Sequence, residues 1–89
     1  MATIAFTPNL RRHLDAESAR VPVGTVRSAL ESVFSTNQRL RSYILDDQGA
    51  LRQHVVVFID GRRVTDRARL TDVVNEESEI YVMQALSGG

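Results

Sequence analysis

The run His54-Val55-Val56-Val57-Phe58-Ile59, followed at once by Asp60-Gly61, constrains the fold more than any other part of the chain. Apolar and mostly β-branched, it reads as a strand. Asp-Gly is the dipeptide of a tight hairpin turn, whose central positions need positive φ. The chain is therefore expected to reverse after Ile59, with Arg62-Arg63-Val64 beginning a short return strand.

The remaining segments supply partners for this strand. Ile4-Ala5-Phe6-Thr7 alternates weakly and ends at Pro8, as a first strand would. Beyond Asn9-Leu10-Arg11-Arg12-His13-Leu14, a second extended stretch covers about Glu17 to Val21 and closes at Pro22. Thr25 is a suitable N-cap, and Val26, Ala29, Leu30, Val33 and Phe34 recur at helical spacing as far as Ser35 or Thr36. Gln38 to Leu45 reads as a short irregular helix, and Asp46-Asp47-Gln48-Gly49 as a turn. Leu70, Val73 and Val74 suggest a turn or a one-turn helix. Glu79-Ile80-Tyr81-Val82-Met83-Gln84 is a last strand. The expected class is α+β, a mixed sheet with one main helix packed on one face.

One helix leaves the other face of the sheet toward water. If it covers Val55, Val57, Ile59, Ile80 and Val82, then Val56, Phe58, Tyr81 and Met83 lie together on the open side. An apolar patch of that size commonly marks a protein–protein surface. The alternative is that the Gln38–Leu45 loop folds over this face and makes it core.

The chain of 89 residues has room for one domain, expected over residues 1–84 with a flexible tail at 85–89. Cysteine is absent, which excludes a disulfide framework, a thiolate metal site and a cysteine nucleophile. Acids and bases balance at eleven each, against a nucleic-acid partner. All eleven bases are arginine, so no ε-amine is present. No basic-then-apolar leader opens the chain, and no apolar run is long enough to cross a membrane, so a cytoplasmic location is expected. His13 and His54 have no metal-ligand spacing around them, the serines lie in no nucleophile motif, and Gly24, Gly49 and Gly61 make no phosphate loop. The chain is not expected to be an enzyme. The pairs Arg11-Arg12 and Arg62-Arg63 read as solvated surface or as charges that steer docking.

The sequence ends Ala85-Leu86-Ser87-Gly88-Gly89. Two glycines have no Cβ to obstruct a narrow channel, and a glycine carboxylate can be approached from either face. Extended, five residues reach ~15 Å beyond a sheet, enough to enter another protein's buried site.

The strand order, the main helix, the Asp60-Gly61 turn and this Gly-Gly end together resemble the ubiquitin-like β-grasp sulfur carriers. That family includes the thiamine-pathway carrier and the small subunit of molybdopterin synthase. The longer carriers of cysteine synthesis are most similar, through Leu10-Arg11-Arg12-His13 and the Gly49-Ala50-Leu51-Arg52 element after the helix. Two departures are Gln84, where the family often has proline, and Glu76-Glu77-Ser78-Glu79, where it has Gly-Asp turns.

The resemblance implies a β-grasp fold and a protein that is itself a substrate. A ubiquitin-activating-type adenylyltransferase would use ATP to adenylate the Gly89 carboxylate; the carrier would hold no cofactor. Sulfur would then displace AMP, leaving a thiocarboxylate on Gly89, with Gly88, Ser87, Leu86 and Ala85 threaded into the partner's site and Val56, Phe58, Tyr81 and Met83 docked outside it. A sulfur-accepting synthase, cysteine synthase-like or molybdopterin synthase-like, would consume the sulfur, with cysteine synthesis favoured over molybdopterin or thiamine. Two alternatives stay open. One is a ubiquitin-like modifier conjugated through Gly89; the other is a β-grasp module that binds without any covalent step.

Overall fold

The computed structural model describes residues 1–84. Five strands form one mixed sheet in the order β2-β1-β7-β4-β5. They are β1 (Ala2–Phe6), β2 (Ala19–Val21), β4 (Val55–Ile59), β5 (Arg62–Arg63) and β7 (Glu79–Gln84). A separate two-stranded ribbon pairs β3 (Gly24–Thr25) with β6 (Val73–Val74). The helices are α1 (Pro8–Leu14), α2 (Val26–Phe34) and α3 (Gln38–Ile44).

The last strand is inserted at the centre of the sheet. β7 runs parallel to β1 and antiparallel to β4, with Phe6 opposite Val82 and Val55 opposite Gln84. Its burial alternates strictly: Ile80 and Val82 are buried and Glu79, Tyr81 and Met83 are exposed. Side chains of a pleated strand point alternately to its two faces, so this register fixes which residues join the core. The Asp60-Gly61 turn after β4 takes φ of 52° and 84°, the left-handed pair expected of a two-residue hairpin.

The main helix is α2, and its start is built by side chains. Thr25 Oγ1 accepts from the Ser28 N–H at 3.1 Å, and Ser28 Oγ accepts from the Thr25 N–H at 3.1 Å. This reciprocal pair satisfies two amides that the first turn leaves without partners. Val26, Ala29, Leu30 and Phe34 are buried against the sheet side of the core, and the helix ends with Ser35 as its cap.

Four segments differ from the sequence expectation. The first strand is Ala2–Phe6, ahead of the expected Ile4–Thr7, and Pro8 starts helix α1. Pro suits that position because its missing N–H has no intrahelical partner there. The second strand is confined to Ala19–Val21. Gln38–Ile44 is a regular helix, with Asn37 Oδ1 accepting from the Leu40 N–H at 3.2 Å as its N-cap. Val73 and Val74 form no helical turn: they pair with Thr25 and Gly24 and so brace the start of α2.

The helix side holds the whole core. Leu40, Ile44 and Leu45 are buried in the same cluster as Leu30, Val57 and Val82. The 38–45 segment thus extends the helical layer and leaves the other face of the sheet open. No helix among the described residues is long and apolar enough to cross a membrane.

Candidate functional site

The uncovered face centres on β4 and β7. Val56 stands opposite Met83 and Phe58 opposite Tyr81, while Ala5 of β1 lies on the other side of Tyr81. Tyr81 and Met83 are each 37% exposed, among the few large apolar side chains so open to solvent, and Val56 and Phe58 are half-buried. The core-facing partners Val55, Val57, Ile59, Ile80 and Val82 are all buried to 2% or less. One alternation therefore produces both the core and the patch. Arg63 faces Phe58 across the β4–β5 ladder and puts a cation at one border.

The patch leads directly to the end of β7. Gln84 turns to the helix side, where the Asn9 amide donates to its Oε1 at 3.2 Å. A shallow groove of about 340 Å³ opens there, with Asn9, His13, Arg39, Tyr43 and Gln84 among its walls. Besides β7, which carries Gln84, two helices position these residues. α1 is anchored by Leu10, which is buried, and α3 by Leu40 and Ile44. The Asn37 amide ties the two together by donating to the Leu14 carbonyl at 2.7 Å. Ala85, Leu86, Ser87, Gly88 and Gly89, the other residues singled out from the sequence, lie outside the described residues.

The histidines are far apart in role. His13 is exposed on α1 beside the groove. His54 is half-buried just before β4, where the Tyr43 ring meets it edge-on at 5.0 Å. Its Nε2 has no hydrogen-bond partner among the described residues. No group of three His, Asp or Glu is gathered within reach of one metal ion among the described residues.

Carboxylates serve the loops. Asp72 accepts from the Thr65 and Asp66 amides, which hold its carboxyl below the usual carboxylate range. Asp66 is lowered by the Arg69 amide and then the Thr71 hydroxyl, and Asp46 by the Ala50 and Gln48 amides. These are turn-locking contacts away from the patch. The groove beside Gln84 is the part of the site that sequence reasoning missed. Arg39 and Asn9 reach it only through packing of α1 and α3, although the run Leu10-Arg11-Arg12-His13 was already visible.

The sequence matches no protein-family model and no curated protein. Its fold, however, recurs in solved structures. A chain of the Amycolatopsis orientalis BexX/CysO complex is 20% identical, with a TM-score of 0.83 and 100% of both chains covered. SAMP1 from Haloferax volcanii is 23% identical, with a TM-score of 0.80 over 99% of this chain and 98% of that one. Mycobacterium tuberculosis CysO, described as an antigen, is 15% identical, with a TM-score of 0.80 over 97% and 100%. The likeness agrees with the fold expected from the sequence. The described chain therefore has the ubiquitin-like β-grasp fold.

Proposed function

We propose that this chain is a sulfur carrier, a protein co-substrate that delivers sulfur from a thiocarboxylate at Gly89. The observation that carries the reading is the course of β7. One strand presents Tyr81 and Met83 on the uncovered face and then leads, past Gln84, into Ala85-Leu86-Ser87-Gly88-Gly89. A body docked by that face aims the glycines into its partner.

The chemistry follows from the poor electrophilicity of a carboxylate. In a ubiquitin-activating-type enzyme, a Gly89 carboxylate oxygen attacks the α-phosphorus of ATP and pyrophosphate leaves. Sulfide then attacks the acyl carbon and AMP departs, so that one hard step becomes two easier ones. A persulfide donor needs one further thiol to cleave the resulting S–S bond. The thiocarboxylate sulfur is a soft nucleophile that a sulfur-accepting synthase consumes, and the acceptor we favour belongs to cysteine synthesis. The chain supplies neither general acid nor base and works in the cytoplasm.

The test is to remove Gly88 and Gly89 and to make Gly88→Ala and Gly89→Ala. Sulfur transfer is expected to disappear while the far-ultraviolet spectrum and Tm stay those of the parent. Transfer surviving in all three variants would contradict the reading. A second reading, a ubiquitin-like modifier joined through Gly89 to amines of other proteins, draws support from the likeness to small archaeal modifier protein 1. It shares the activation step and differs only in the final acceptor.

A further inference from the structure

We propose that the partner receiving the end of β7 presents an acidic lip to α1 and α3, on the side of the strand opposite its contact with the apolar face. This rests on the sulfur-carrier reading and adds the chemistry of the docking partner to it.

The inference starts from where a chain of zero net charge places its charges. The end of β7 at Gln84 is flanked by α1 and α3, which carry Arg11, Arg12, His13 and Arg39, all exposed. The ion pairs among the described residues are Met1–Glu76, Arg27–Glu31 and Arg41–Glu31, so Arg11, Arg12 and Arg39 stand outside them. The other end of the strand is acidic. Glu76, Glu77 and Glu79 lead into β7, and Asp60 Oδ1 accepts from the Glu79 amide at 2.9 Å. The two ends thus differ in balance: Arg11, Arg12 and Arg39 outnumber Asp15 and Glu17 at the end that would enter the partner, and Glu76, Glu77, Glu79 and Asp60 outnumber Arg62 and Arg63 at the other.

Successive side chains then divide the environment of the strand end. Met83 faces the apolar sheet side with Val56, whereas Gln84 faces Asn9 and the groove walled by His13 and Arg39. A partner that closes around this end meets apolar side chains on one side and, on the other, the Arg39 guanidinium in the groove, with Arg11 and Arg12 of α1 on a neighbouring groove. Complementary charge speeds encounter, sets orientation and rejects wrong partners. Of the two arginine pairs in the sequence, only Arg11-Arg12 lies at this end; Arg62 stands opposite Ile59, beside the Asp60 turn. Nucleic acid is the other anion a basic end could meet. Asp15 and Glu17 share one groove with Arg11 and Arg12 and so interrupt the basic surface; a phosphate backbone of evenly repeated charge cannot avoid them, whereas the carboxylates of a protein lip can be spaced to meet the guanidinium groups alone.

The experiment is ATP–pyrophosphate exchange by the adenylating enzyme of the chain's own host, with the full chain as the varied substrate. Arg12→Glu and Arg39→Glu are each expected to raise KM for the carrier about tenfold with kcat within about twofold, an effect that shrinks as salt rises. Arg62→Glu, the same charge change at the far end, is expected to leave KM within about twofold. Circular dichroism confirms that each variant is folded. Unchanged KM in both Arg12→Glu and Arg39→Glu, or an equal rise in Arg62→Glu, would overturn the lip while leaving the carrier reading intact. No exchange with the parent chain would overturn both. Binding of a single-stranded oligoribonucleotide that Arg12→Glu abolishes would assign this end to nucleic acid and overturn the protein lip.

Discussion

Phe58 lies directly opposite Tyr81 in the β4–β7 ladder, and both side chains face the side of the sheet that no helix covers. Aromatic cross-strand pairs contribute up to about 1 kcal/mol to a sheet. Tyr81 and Met83 are too exposed for the core to depend on them. Met83→Asp and Tyr81→Asp are therefore expected to lower stability by no more than about 1 kcal/mol in urea denaturation. The same variants are expected to weaken association with the activating enzyme at least about tenfold, because a charge would be buried at the centre of the contact. Titration calorimetry reads the second effect.

Arg27 holds two loops at once. Its Nε donates to the Arg69 carbonyl at 2.9 Å, and Nη2 donates to the carbonyls of Gly49 and Ala68. Arg27→Ala is expected to cost about 1–2 kcal/mol, with the side chain's partial exposure holding it near the lower end. Arg27→Lys should recover little of it, since one ammonium cannot reproduce the planar fork. Chemical denaturation measures both, and a lysine variant as stable as the parent would count against the clamp.

The stability of this fold should fall in acid. Asp72, Asp66 and Asp46 all have folded-state pKa values below their unfolded ones, because backbone amides donate to the carboxylates. Each contribution is fully present above an unfolded pKa of about 4 and is lost as pH falls through the folded value. Tm should therefore be flat from about pH 7 to about pH 5 as far as these groups are concerned, then decline. Asp72→Asn should lower Tm at neutral pH and flatten the decline. A parent chain whose Tm does not change down to about pH 2 would contradict this account.

Leu30, Val57 and Val82 lie within the single core cluster, each fully buried. Leu30→Ala is expected to cost about 2–5 kcal/mol, much of the ~5–15 kcal/mol available to a domain. Thermal unfolding checks it.

What the sequence disclosed depended on how local the signal was. The α2 stripe repeats over nine residues and the burial of β4 and β7 alternates without a break, so both could be read from spacing. Helix α1 has one buried residue, Leu10, in seven, too few for a period to show. The β3–β6 ribbon is two residues long, and its partners stand about fifty positions apart. The apolar patch was legible because it is the other half of the alternation that builds the core. Arg39 was not, because its approach to Gln84 comes from the packing of α3 against α1 through Asn37 and Leu14.

The most direct test of the central claim is the intact mass of this protein recovered from its own host. The carrier account predicts a species heavier by the exchange of one oxygen for sulfur, with fragmentation placing the gain at Gly89. Unmodified free chain, together with Gly89 found in amide linkage to other proteins, would contradict it and make the chain a modifier.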